Sequence, residues 1–184
     1  MERIFMESAA NAGDGQMPQR ILIALDPSDT AQHALQAAIR FALADDVMRV
    51  VHVIDEPLGS YPATLAPWAD WQAARERWIC EGQKLLSDAY TALQEAGIQA
   101  DTRLIELRAW GGTVAGAVLR EAQRWRADLL LLGTHGRRGA RRLLLGSVAE
   151  EVLRKSRRPV MLIPGEPAKL IAAMAAAGTL VARC

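Results

Sequence analysis

Asp128–Pro164, DLLLLGTHGRRGARRLLLGSVAEEVLRKSRRPVMLIP, sets two glycine-marked turns between an apolar strand (128–132) and a helix (147–155) that leads into a second apolar strand (160–163). Gly133, Gly136 and Gly146-Ser147 fall in the spacing G-x2-G-x9-G-S. Glycines let backbone amides approach an anion that a side chain would exclude, and a helix N-terminus adds unpaired N–H groups and the positive end of its dipole. Strand, glycine-rich loop and helix start follow the order a phosphate site requires, with Ser147 and Val148 opening the helix. A structural reading stands beside it: Ser147 as N-cap and Glu150 as its capping-box partner, a device worth about 1 kcal/mol. Both roles can coexist if the Glu150 carboxylate turns outward.

Upstream, RILIAL (20–25) reads as a buried strand broken by Asp26-Pro27-Ser28-Asp29, with Asp29 as cap of the next helix and Gln32 three residues on. A second strand covers 49–55, and prolines and a glycine then keep 56–67 irregular. A long helix from Pro67 to Ala96 stops at Gly97, with Trp71, Trp78, Leu85, Leu86 and Leu93 as an apolar stripe in which the tryptophans read as core. A strand at 102–107, a Gly111-Gly112 turn and a helix at 113–125 complete the series. Strands separated by helices predict a parallel sheet covered on both faces, with any ligand in the crevice at the carboxyl ends of the strands. Asp26 ends the first strand at that crevice, where a carboxylate can accept hydrogen bonds from ribose hydroxyls or an amino group; as a plain alternative it caps its own loop.

The glycine spacing, ILIALDPSD (21–29) and VVHVIDEP (50–57) together resemble the universal stress proteins of ATP-binding type, over Arg20 to Pro164. The resemblance implies an open, doubly wound, Rossmann-like α/β sheet of five parallel strands in the order 3-2-1-4-5, of the adenine-nucleotide hydrolase-like group. It implies ATP, with which magnesium can arrive. The triphosphate would lie over Gly133, Gly136, Arg137, Gly146, Ser147 and Val148, and adenosine between Asp26 and the Val53 backbone. It further implies a homodimer paired through the last strand, Val160, Met161, Leu162 and Ile163. One departure stands out: the glycine common after the aspartate is Pro27 here, which removes an amide donor. A nucleotide-free dimeric interaction module of the same fold is the alternative.

With 184 residues, 51% hydrophobic and 23% charged, the chain has the composition of one ordinary domain, expected over 19–165, with a flexible leader at 1–18 and a tail at 166–184 that can add a short helix. Net charge is +1, and the arginines around the glycine loop come without a recognition helix or stacking aromatics, so no nucleic-acid partner is expected. No run approaches the ~20 apolar residues of a membrane span. Cys80 and Cys184 lack metal-ligand or disulfide-framework spacing, which fits a reducing cytoplasm. His33, His52 and His135 have no companions that would make a metal site or a general base. No P-loop lysine, acid pair or activated nucleophile is present, so the expectation is a binding protein and not an enzyme, with slow ATP hydrolysis left open.

Overall fold

Five short apolar segments form one parallel sheet in the order β3-β2-β1-β4-β5. The computed structural model describes residues 19–55, 68–135 and 145–164, without the side chains of 68–70, 109 and 110. The elements are β1 (Arg20–Ala24), α1 (Asp29–Phe41), β2 (Val47–Ile54), α2 (Trp68–Glu95), β3 (Gln99–Glu106), α3 (Leu107–Trp110), α4 (Val114–Trp125), β4 (Leu129–Gly133), α5 (Ser147–Lys155) and β5 (Val160–Ile163). The leader, the 56–67 segment, and the tail with its expected helix lie outside the described residues.

Period-two alternation divides the strands between two cores. Ile21, Ile23, Met48, Val50 and Leu131 meet Leu35 of α1 and Leu86 and Leu93 of α2 on one face. Leu22, Val51, Leu130 and Leu132 meet Val118 and Trp125 of α4 and Val152 of α5 on the other. β1 and β4 are buried on both sides, as continuous apolar strands at the centre of such a sheet must be. Among the described residues β5 pairs only with β4, and all four of its residues are half-buried.

Several local readings change. β2 begins two residues earlier than expected, with Val47 and Met48, and β3 three residues earlier, because its ladder carries the polar Gln99 and Asp101. Asp29 is not the cap of α1: Ser28 is extended and its hydroxyl accepts from the Ala31 amide, leaving Asp29 in the first turn. Trp71 and Trp78 are half-buried and not core, and the Arg108 guanidinium lies 4.7 Å from the Trp71 ring centroid. Gly97, at φ 75°, ends α2 as expected.

Where β1 and β4 enter the sheet, two aspartates replace missing ladder bonds. Asp46 accepts from the Gln19 and Leu43 amides, both at 2.9 Å, and Asp128 accepts from the Arg20 amide at 2.9 Å. Nearby, the fully buried carboxylate of Glu121 receives Arg49 at 2.8 Å, Arg103 at 3.1 Å and Arg124 at 3.3 Å. Arg49, bonded first to Asp101 and then to Glu121, is held above the ordinary arginine pKa. No helix among the described residues is long and apolar enough to cross a membrane.

Candidate functional site at the carboxyl ends of β1 and β4

β1 and β4 run side by side to Ala24 opposite Leu132, and the chain leaves β1 toward β2 and β4 toward β5, so the order reverses between them. This reversal opens a crevice at their carboxyl ends. On the β1 side, the Ser28 amide donates to the Asp26 carbonyl at 2.8 Å, a tight turn with Pro27 exposed at its centre. The Ser28 hydroxyl donates to the half-buried Asp26 carboxylate.

On the β4 side, Thr134 fixes the loop. Its amide donates to the Ile163 carbonyl at 2.9 Å, and its carbonyl accepts from the Gly146 amide at 2.7 Å. The two ends of the glycine loop therefore meet, with Gly133 and Gly146 flanking the junction. The intervening Gly136 and Arg137 lie outside the described residues. Thr30 of α1 closes the β4 side onto the β1 side: its hydroxyl donates to the His135 carbonyl. The His135 Nδ1 lies 3.1 Å from the Thr134 hydroxyl.

Gly133 acquires a reason that spacing does not reveal. A Cβ there would lie 2.8 Å from the Thr30 carbonyl carbon and 2.7 Å from its hydroxyl oxygen, so the end of β4 fits against α1 only without a side chain. Ser147 is not the N-cap of α5. That position belongs to Gly146, at φ −71° and ψ 150°, with no side-chain cap bond, and Ser147 is the first helical residue. The reciprocal capping box therefore does not form, and Glu150 is exposed on the first turn. The first-turn amides of α5 have no intrahelical acceptors, which leaves them available to a ligand. One turn on, Glu151 accepts from Lys155 at 2.6 Å and from the Thr113 hydroxyl at 3.2 Å, tying α5 to α4. The Lys155 bond, more than that of Thr113, holds its carboxyl below the ordinary glutamate pKa.

Val53 lies on β2 opposite Ile105, half-buried. The β1–β2 ladder ends at Ala24 opposite Val51, and the Leu25 amide bonds the Val51 carbonyl at 2.9 Å. By strand alternation the Val53 backbone points the same way, into the space β1 leaves. The structure thus gathers Asp26, Val53, Gly133, Gly146, Ser147 and Val148 around one crevice end of the sheet. It adds Ser28 and Thr30, whose only trace in the sequence is a pair of hydroxyls two residues apart after the aspartate. Among the described residues no cluster of His, Cys, Asp and Glu could hold a metal ion.

The sequence profile of the universal stress protein family matches residues 17–164. The chain belongs to that family. A universal stress protein of Methanocaldococcus jannaschii is 31% identical over 147 residues, 79% of this chain and 81% of the relative. Among solved structures, a family member from Burkholderia pseudomallei is 33% identical with a TM-score of 0.64, covering 83% of this chain and 100% of its own. One from Arabidopsis thaliana, with AMP bound, superposes at a TM-score of 0.59 with 19% identity, covering 83% of this chain and 95% of its own. At that identity the likeness concerns the fold; AMP is a ligand of the plant protein.

Proposed function

We propose that this universal stress protein binds ATP, with accompanying magnesium, as a nucleotide-responsive regulator of the stress response. The observation that carries the reading is the Thr134–Gly146 junction, which sets the uncapped N-terminus of α5 beside the ends of β1 and β4. In this reading the phosphates lie over Gly133 and Gly146 and are received by the amides of Ser147 and Val148 and by the loop residues Gly136 and Arg137, while Asp26 and the Val53 backbone receive adenosine. Pro27 is exposed in its turn and Asp26 half-buried, and in this reading the Asp26 carboxylate turns to the nucleoside. That a plant relative of the same fold holds AMP supports a nucleotide as the class of ligand. Turnover is slow or absent, because charge neutralisation without a base for water leaves phosphoryl transfer largely uncatalysed.

Calorimetry with ATP, ADP and GTP tests it. Replacing Gly146 by valine puts a branched side chain at the phosphate approach and weakens ATP binding about tenfold to a hundredfold, while His135→Ala changes little. Absence of ATP binding at millimolar ligand promotes the second reading, a nucleotide-free interaction module, which the half-buried apolar edge of β5 favours. In either case we expect a homodimer through Val160–Ile163.

A further inference from the structure

His52 lies on β2, buried beneath α2, on the opposite face of the sheet from Val51 and Val53. Its Nδ1 stands 2.8 Å from the Leu25 carbonyl, the group immediately before Asp26. A carbonyl can only accept, so Nδ1 carries the proton. In a continuing parallel ladder that carbonyl would take a backbone amide of β2; instead an imidazole takes it, at the point where β1 leaves the sheet. The ring is held in turn by α2. A Cβ on Gly82 would lie 2.9 Å from the His52 Cδ2 and 2.8 Å from the Leu104 Cδ1, so the helix passes over the imidazole only because residue 82 has no side chain.

We propose that His52 is a positioning residue for the nucleoside end of the crevice: its Nδ1–H holds the Leu25 carbonyl at the exit of β1 and so fixes where Asp26 stands, with Gly82 as the cradle of the ring. The role at the nucleoside rests on the nucleotide reading above. The effect on the backbone does not.

Long-range proton–nitrogen NMR of the full chain at pH 8 reads the tautomer, and an Nε2-protonated ring with bare Nδ1 overturns the proposal. His52→Asn keeps an N–H donor near the Nδ1 position, and His52→Leu keeps bulk without a donor. Amide exchange at Ser28–Ala31 should accelerate in His52→Leu and remain near wild type in His52→Asn; equal exchange in the two variants overturns the proposal even if the protein binds no nucleotide. For ATP, His52→Leu should weaken binding about tenfold and His52→Asn less than about threefold, with inorganic tripolyphosphate unaffected by either. Loss of both ligands alike, or ATP affinity that tracks melting temperature and not the donor, reduces His52 to a packing role. Failure of wild type to bind ATP falls on the nucleotide reading alone, because exchange and tautomer still decide the positioning.

Discussion

Gly133 and Thr30 show how one contact sets the width of the crevice. Gly133→Ala must displace backbone of α1, not a flexible side-chain end, so it should destabilise by about 1–3 kcal/mol in urea denaturation. Stability equal to wild type would show that Thr30 can retreat. That cost is independent of any ligand and separates the packing role of this glycine from a role at phosphate. The residue scale is also where the sequence is hardest to read. Asp26, Ser28 and Asp29 are all good cap formers in a four-residue stretch, and only the course of the chain around Pro27 selects Ser28 for the Ala31 amide and leaves the Asp26 carboxylate accepting from the Ser28 hydroxyl.

Among the elements, α5 offers the cleanest separation of helix from site. Because Ser147 is the first helical residue and follows an extended Gly146, proline is well suited to it: its fixed φ matches the helix and its missing N–H costs no helical bond. Ser147→Pro should therefore keep the urea midpoint within about 0.5 kcal/mol of wild type and weaken ATP by about tenfold through one lost amide. Unchanged calorimetric affinity would remove that amide from the phosphate site. The tie from α5 to α4 responds to acid. The lowered pKa of Glu151 means its bond to Lys155 adds stability above the unfolded-state pKa and loses it as pH falls through the folded one. The gap in urea midpoint between wild type and Glu151→Gln should close over that descent. The type and order of the main elements were legible because β1 and β4 are continuous apolar runs and α4 and α5 strongly amphipathic. α2 was legible in extent but not in burial: 28 residues reach about 42 Å, while the eight-residue β2 and β3 reach roughly 27 Å, so the helix overhangs the sheet. Leu86 and Leu93 fall over the strands, whereas Trp71 and Trp78, on the same stripe, lie only half-buried nearer its start.

For the whole molecule, the edge of β5 is the place where assembly can be tested without disturbing the fold. The Pro159 and Ile163 carbonyls bond β4, so by alternation the backbone of Val160 and Leu162 points to the open edge. Leu162→Pro removes an edge donor and no β4 bond, and should leave a folded monomer by circular dichroism and sedimentation where wild type is expected to be a dimer. A proline variant that remains dimeric places the interface elsewhere. The strand order was legible through the family resemblance, but the Glu121 cluster was not, because Arg49 and Arg103 reach Glu121 only after the sheet is assembled, with Arg124 alone its neighbour on α4. The same non-locality governs the birth of the crevice. The hydrogen bond that joins the entry of β1 to that of β4 spans 108 residues. A chain still emerging from the ribosome with β1, β2 and β3 in place has Asp26 and nothing opposite it; the other wall arrives with β4 and α5. On the nucleotide reading, ligand occupancy would reward a finished chain by mass action and offer nothing to one cut short before β4.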